Sequence, residues 1–381
     1  WENLMRGERY EALDSWRGLC ACMVALFHFN VLSHIQFTAI ILNAYLFVDF
    51  FFVLSGFVIA ANYQSRLLQG FGAGRFLFLR LGRIYPLHFL TMLLFIPIDV
   101  AKDGFPGDLP RAIVTNLLLL HGTGINNGLW LNFPSWSISA EFFAYIVFAL
   151  ITLRLGKSTL SWAVLAFVGC ATLLWFSPHR MDSTYDFGLV RCVYGFALGV
   201  ICFRARETCA WLCKPLGRVT VIEVVGVVVL CLCLIAIDGH GYLAVAAPLL
   251  FAGLVLLFAR EQGHVSGALK VRPLLLIGTL SYSIYMVHAL TRALGRALAM
   301  VLQKVTGMSF FVDYPVTING EVPHLLTIHN SLWIGDLLHV SMLFATIALA
   351  MLTYRYIEEP GRLWSRKYTS QRPLPQSIAE A

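Results

Sequence analysis

Leu13 to His28 read LDSWRGLCACMVALFH, an apolar run that carries an arginine near its start and a histidine near its end. On an α-helix, Arg17 and His28 lie within about 20° of one face, with a rise of about 16 Å between them. If the run spans a membrane, His28 lies near mid-bilayer and Arg17 at one interface. Because a buried ionisable group is costly in lipid, His28 is a candidate functional residue. The alternative is a histidine that is hydrogen-bonded inside a helix bundle.

The composition identifies a polytopic membrane protein. The 381 residues are 58% hydrophobic and only 13% charged, with a mean hydropathy of +0.73, whereas a soluble domain is about a quarter charged. The net charge of +7 is spread over many short loops, which argues against a nucleic-acid partner. The nine cysteines form no CxxC pair and have no histidine at ligand spacing. We therefore expect neither a metal site nor a disulfide framework.

Long apolar runs predict an all-α fold of about ten transmembrane helices. The runs are roughly 17–36, 43–61, 84–100, 134–153, 159–176, 187–203, 219–237, 241–258, 274–294 and 331–354. No cleavage signature follows residues 1–16, so the first run is expected to be retained. The run 111–121 is too short to cross and is expected to lie at the interface or to re-enter. Of the two long connections, 101–133 and 295–330, the second alternates enough for a short hairpin.

The distribution of basic residues predicts the orientation. With a cytoplasmic N-terminus, most of the 28 Lys and Arg residues fall on cytoplasmic segments, which is the positive-inside pattern. Both termini are then cytoplasmic. We expect one transmembrane domain over 1–367, followed by a polar, disordered cytoplasmic tail over 368–381.

Ionisable residues inside the apolar runs are candidate site residues, because a catalytic or transport pathway usually explains them. Structural ion pairs are the alternative. Besides His28, they are Asp49, His88, Glu141, Arg191 and His288.

Arginines also cluster at the predicted cytoplasmic ends of the first and third spans. Arg80 and Arg83 are i,i+3 neighbours that can face one ligand, and guanidinium groups pair well with phosphates. The alternative is that these arginines anchor the topology at lipid headgroups. The cluster comprises Arg17, Arg75, Arg80 and Arg83.

Six segments carry a resemblance to a known family, and they run in order along nearly the whole chain. They are LDSWRGLCACMVALFH, DFFFVLSGFVIA, FLRLGRIYPLHF, SWSISAEFFAY, SYSIYMVH and YIEEPGR. Through them the chain resembles the membrane-bound acyltransferase 3 family, which O-acylates bacterial surface polysaccharides and related acceptors. The spacing of Arg17 and His28 matches the family's arginine-ten-residues-histidine motif. No SGNH hydrolase-like domain is appended to this sequence, so the resemblance is to the stand-alone form.

The resemblance implies acyl-CoA, usually acetyl-CoA, as a cytoplasmic donor substrate, without a permanently bound cofactor. His28 would deprotonate the acceptor hydroxyl as it attacks the thioester, and an acyl-histidine intermediate is the alternative. Asp14 is expected to orient Arg17. The donor-site candidates are Asp14, Arg17, Arg75, Arg80 and Arg83.

The acceptor is expected from the other side of the membrane. Glu141 is the second catalytic candidate, and the other acceptor-side candidates are Asp49, Arg191, Tyr285 and His288. The resemblance thus implies a multi-pass O-acyltransferase of the bacterial cytoplasmic (inner) membrane, with a glycan or glycolipid hydroxyl as acceptor. A small lipophilic alcohol or macrolide is an alternative acceptor. A transporter or flippase is the alternative class, although paired broken helices are not evident in two halves of the chain.

Overall fold

A computed structural model of the chain describes residues 9–103, 107–209, 217–237, 241–313 and 324–370. In these residues the fold is a bundle of α-helices with one small sheet. The helices are α1 (Glu11–Phe29), α2 (Ala39–Leu42), α3 (Phe47–Leu68), α4 (Ala73–Asp103), α5 (Leu109–Leu117), α6 (Trp136–Leu155), α7 (Thr159–Trp175), α8 (Gly188–Thr208), α9 (Val219–Ala236), α10 (Ala247–Phe258), α11 (His264–Leu269), α12 (Arg272–Thr306), α13 (Leu332–Thr353) and α14 (Glu359–Ser370). The strands are β1 (Phe311–Asp313) and β2 (His324–Leu326).

The all-α, multi-pass fold is confirmed. Within the described residues, seven segments are long and apolar enough to cross a membrane: Ala44–Leu68, Ala73–Ala101, Phe133–Leu155, Gly188–Thr208, Val219–Ala236, Arg272–Thr306 and Leu332–Thr369. Two further apolar helices, Thr159–Trp175 and Tyr242–Phe258, are shorter. The 19-residue helix α1 covers residues 17–29 of the first predicted span, 17–36. The number of crossings and the side on which each terminus lies stay predictions.

Several predicted helix ends are wrong. The first span is predicted to end at 36, but α1 ends at Phe29, and the third is predicted to begin at 84, but α4 begins at Ala73. The ninth span was expected to end at 294, but α12 is 35 residues long and ends at Thr306, directly before Gly307, whose φ is 71°. No proline interrupts this stretch, and a left-handed glycine is a common helix stop. The tenth span was expected to end at 354, but α13 continues through a π-helical turn, Tyr354–Glu358, into α14.

The predicted hairpin between α12 and α13 is confirmed. Strands β1 and β2 are antiparallel, and Phe311 pairs with Leu326. The predicted disordered tail lies mostly outside the described residues. The run 111–121 forms the short helix α5 and the turn after it.

Close helix contacts at glycines organise the bundle. A Cβ on Gly18 of α1 would collide with the backbone of α12, and a Cβ on Gly278 of α12 would collide with the carbonyl of Asp14. In the same way, a Cβ on Gly56 of α3 would collide with the backbone of α8, and a Cβ on Gly199 of α8 would collide with the backbone of α3. Small residues let helix backbones approach closely in membranes. The α1–α12 contact therefore fixes how Arg17 and His28 face α12.

Candidate active site

An open cleft lies between α1, α3, α4, α6 and α12. Its volume is about 790 Å³ including the mouth. One wall consists of apolar side chains of α3, such as Phe51, Leu54 and Val58. The polar lining residues are Arg17, Ser55, Arg80, Arg83, Ser137, Glu141, Tyr145, Ser281, Tyr282 and Tyr285. The cleft thus unites three predicted donor-site arginines with Glu141.

Arg17 is held against α12 by several hydrogen bonds. Its Nε donates to Ser281 Oγ at 2.7 Å, and its Nη2 donates to the Gly278 carbonyl at 3.0 Å. Asp14 Oδ1 lies 3.3 Å from the same Nη2, a position from which Asp14 can orient the guanidinium. Most of the hydrogen-bonding capacity of Arg17 is therefore used within the protein.

Arg80 and Arg83 lie one turn apart on α4, and both reach the cleft. Arg80 Nη2 donates to Tyr63 Oη at 2.9 Å, and Arg80 Cζ lies 4.9 Å from the centroid of that ring. Arg83 makes no hydrogen bond or ion pair in the part of the chain that the structure describes. The charges of Glu358 and Glu141 act on it from a longer range. Arg83 is accordingly the cleft arginine with the most donors left for a ligand.

Glu141 lies among these arginines, although the sequence pattern grouped it with the acceptor-side residues. Its Oε1 accepts hydrogen bonds from Ser55 Oγ at 2.5 Å and from Tyr145 Oη at 2.6 Å. The reason is that α6 packs against both α3 and α4, which turns Glu141 into the cleft.

Glu358 is a second carboxylate near the cleft, and it is not among the residues predicted from the sequence. Ser283 Oγ donates to Glu358 Oε2 at 2.7 Å, and the side chain is buried. Its charge acts on both Arg83 and Arg17. Glu358 stands in the YIEEPGR segment, but nothing in that pattern predicts the π-helical turn that directs it inward. The polar lining residues that the sequence pattern did not single out are Ser55, Ser137, Tyr145, Ser281 and Tyr282.

His28 and His288 form a pair outside the cleft lining, with ring centroids 5.0 Å apart. His28 Nδ1 lies 2.9 Å from the Val24 carbonyl, and His288 Nδ1 lies 2.6 Å from the Tyr285 carbonyl. Because a carbonyl only accepts, each neutral ring carries its hydrogen on Nδ1 and its lone pair on Nε2. The Nε2 of His28 can therefore act as a base. The Nε2 of His288 is buried without a partner among the described residues.

Tyr285 separates the cleft from the histidine pair. It lines the cleft on one side, and its ring centroid lies 5.8 Å from that of His288. Its hydroxyl donates to the Pro134 carbonyl and accepts from Ser137 Oγ, both at 2.9 Å. Tyr285 is thus a hydrogen-bonded barrier between two adjacent polar sites.

Asp49 and Arg191 lie away from the cleft, in a buried ion pair. Arg191 donates to both carboxylate oxygens of Asp49, at 2.9 and 2.7 Å, and also to the carbonyls of Ser183 and Tyr45. The two side chains are 1% and 0% exposed. The prediction that they contact the acceptor is therefore not supported, because their hydrogen-bonding groups are already used. This geometry favours the alternative, a structural ion pair, which here connects α3 to α8.

Arg75 is also outside the cleft lining. Its Nη2 donates to the Thr369 carbonyl, which ties α4 to α14. The position does not support the predicted donor-site role, because the guanidinium is bound to the end of a neighbouring helix.

His88 stacks on His121, which lies between α5 and α6, with ring centroids 5.2 Å apart and planes at 1°. His88 Nε2 contacts the Asn116 carbonyl at 3.0 Å, and His121 Nε2 contacts the Ser135 carbonyl at 2.9 Å. Burial and, to a lesser degree, the nearby His88 lower the pKa of His121 to about 3. His121 is therefore neutral at pH 7, and the stack ties the segment around α5 to α4.

A cationic cleft beside a histidine pair, inside a multi-pass helix bundle, defines a membrane protein with a site suited to group transfer. The sequence profile of the family described as "Acyltransferase domain", acyltransferase 3, matches residues 10–355. The chain belongs to this family, and it is a membrane acyltransferase.

Two curated proteins are similar to the chain, and the second is named as an acyltransferase. The chain is 34% identical over 186 residues, 44% of its length and 93% of the relative, to "Protein 2 in picA locus" of Rhizobium radiobacter. It is 34% identical over 116 residues to "Acyltransferase MdmB" of Streptomyces mycarofaciens, which is 27% of each chain. No solved structure matches the chain significantly.

Proposed function

We propose that this membrane acyltransferase moves an acetyl or other short acyl group from acyl-CoA to a hydroxyl of a glycan or glycolipid. The observation that supports the proposal most is the grouping of Arg17, Arg80 and Arg83 in one cleft, with His28 on the same helix as Arg17. Both relatives are bacterial, and the proposed location is the bacterial cytoplasmic membrane.

The cleft has the chemistry that an acyl-CoA donor requires. The guanidinium groups at its polar end suit the phosphates of CoA. The apolar wall of α3 suits the less polar pantetheine arm. Along α1, the rise of about 16 Å from Arg17 to His28 is comparable with the length of that arm. The thioester would then approach the histidine pair when the phosphates are bound at the arginines.

Tyr285 has to move in this scheme, because its side chain stands between the cleft and the histidine pair. The hydrogen bonds of its hydroxyl to Pro134 and Ser137 would hold the barrier in place until the donor is bound. Until the donor is bound, Tyr285 would keep the histidine pair apart from the cleft.

His28 would act as the base of the transfer step. Its Nε2 takes the proton of the acceptor hydroxyl while the hydroxyl oxygen attacks the thioester carbonyl. The tetrahedral intermediate then collapses, the carbon–sulfur bond breaks, and the imidazolium returns the proton to the CoA thiolate. The products are the acyl ester and CoA. We propose this direct transfer; label retained on the protein after reaction without acceptor would indicate the acyl-histidine route instead.

The test is acetyl-CoA binding and turnover by purified protein in lipid nanodiscs. We expect His28→Ala to bind acetyl-CoA as wild type does and to release CoA at least about 100 times more slowly, the usual size of a general-base contribution. His264→Ala is the matched control, because that histidine is exposed at the start of α11. Turnover retained by His28→Ala would remove it as the base, and absence of acetyl-CoA binding to wild type would remove the proposed donor.

A further inference from the structure

Arg292, on the stretch of α12 beyond His288, carries a positive charge that the acyl transfer described above does not use. Arg292 follows His288 by four residues, so the two side chains share one helix face. The guanidinium is half-buried, and its Cζ lies 5.7 Å from the centroid of the Phe133 ring. In the described part of the chain it makes no hydrogen bond and no ion pair.

Phe133 is the common neighbour of three basic side chains. Its ring centroid lies 4.9 Å from that of His28 and 6.0 Å from that of His288, and Arg292 completes the group. None of these residues lines the cleft. The charge of Arg292 acts on both histidines. This group, which we call the outer cluster (His28, Phe133, His288 and Arg292), is therefore a second site beside the cleft.

The outer cluster has positive charge without a counterion among the described residues. The next charged side chain along the same helix face is Arg296, which donates to the His324 carbonyl and lies over the Phe311 ring. Asp313 of the nearby hairpin is paired with His324 at 2.5 Å. A partly desolvated guanidinium without an anion is unfavourable, and such groups in proteins are normally paired. The buried, unpartnered Nε2 of His288 adds a second polar atom that has no protein partner.

We propose that Arg292 binds an anionic group of the acceptor, a carboxylate or a phosphate, and thereby holds the acceptor hydroxyl next to His28 Nε2. The inference rests on the proposed acyl transfer and narrows its acceptor to acidic glycans and phosphate-bearing glycolipids. The two N–H groups of a guanidinium fork match two oxygens of either anion. Arg292 is then a specificity residue, and His28 remains the base.

The test compares matched acceptors that differ in charge. Octyl β-glucoside, octyl β-glucuronide and the 6-phosphate of octyl β-glucoside are supplied below their micelle concentrations, with labelled acetyl-CoA, to protein in nanodiscs. We expect wild type to acylate both charged acceptors with a kcat/KM at least about tenfold above that for the glucoside, the size of a charge-assisted hydrogen bond. Arg292→Gln should lose at least about tenfold more kcat/KM with the charged acceptors than with the glucoside. Arg296→Gln, the matched control, should keep the wild-type ratio.

A binding measurement separates this inference from the proposed function. Isothermal titration calorimetry with the same three amphiphiles, without acetyl-CoA, should show that wild type binds the two charged amphiphiles more tightly than the glucoside. Arg292→Gln should bind all three with similar affinity. If this preference is found but no acceptor is acylated, the anion site stands and the proposed transfer fails. If all acceptors are acylated alike, or Arg292→Gln lowers all three rates alike, the inference is overturned and the proposed transfer stands.

Discussion

Three arginines face the cleft, and they differ in how many of their N–H groups already donate to partners within the protein. Arg17 donates to Ser281 and Gly278, and Arg80 donates to Tyr63. Arg83 has no hydrogen-bond partner in the residues that the structure describes. A ligand therefore gains most from Arg83, whereas Arg17 also holds α1 to α12.

Replacing Arg83 should weaken donor binding more than it slows chemistry. We expect Arg83→Ala to raise the KM for acyl-CoA about tenfold with a smaller fall in kcat, because the lost contact is mostly ground-state binding. Arg83→Lys should recover only part of the loss, since an ammonium lacks the guanidinium fork. Steady-state kinetics check this, with the exposed Arg154→Ala as control. An unchanged KM would make Arg83 a topology anchor.

The ionisable residues within the apolar runs could be named from the sequence, but their grouping could not, and Glu358 was not singled out. His28, Glu141 and Arg83 stand out because ionisable residues are rare within apolar runs. Glu141 was grouped with Arg191, yet it shares the cleft with Arg83 while Arg191 is paired with Asp49. Which charges meet depends on the rotation and crossing of each helix, and periodicity along one helix does not contain that information.

At the scale of elements, the contact between α1 and α12 positions both sites. Gly18 and Gly278 let the two backbones meet, and Arg17 hydrogen-bonds across the same contact. Arg17 and His28 both lie on α1, and Tyr285 and His288 both lie on α12. A side chain at either glycine would therefore displace all of these groups together.

Gly278→Ala should destabilise the protein. The new Cβ would collide with the Asp14 carbonyl and the Ser15 nitrogen, and overpacking of this kind typically costs about 1–3 kcal/mol. We expect a lower melting temperature and weaker acyl-CoA binding in the same nanodisc preparation. Gly253→Ala on α10, where nothing lies within 4 Å of the added Cβ, is the control. Wild-type stability and binding of Gly278→Ala would contradict the described contact.

Hydropathy located the helices better than it located their ends. Each of the ten apolar runs is largely helical, because an apolar stretch in lipid must satisfy its backbone internally. The ends of α12 and α13 and the start of α4 were missed, since these helices continue beyond the apolar stretch that marks a span. The end of α1 was missed because the apolar stretch continues after the helix stops at Phe29. The stop of α12 depends on one glycine, and the π-helical turn after α13 has no pattern in the sequence.

For the whole molecule, the two polar sites lie on either side of Tyr285. The cleft holds the arginines near the start of α4, and the outer cluster lies further along α12. With the predicted positive-inside orientation, the cleft would open towards the cytoplasm and the outer cluster towards the opposite face. The donor and the acceptor would then arrive from different compartments.

This arrangement predicts sidedness in sealed vesicles. We expect inside-out vesicles to release CoA from external acetyl-CoA, and right-side-out vesicles to do so only after permeabilisation, because CoA does not cross the bilayer. The measurement is thiol release by each preparation before and after mild detergent, with His28→Ala vesicles giving the background. Equal release by intact vesicles of both orientations would contradict the opposed placement of the two sites.

The glycine contact between α1 and α12 also determines how far each site residue of α1 would move if that helix tilted. Arg17 stands beside it, whereas His28 stands about 16 Å further along the same rigid helix. A tilt of α1 about this contact would move His28 further than Arg17, because displacement increases with distance from the contact. A donor whose phosphates are bound at the arginines could therefore stay bound while His28 moves towards an incoming hydroxyl.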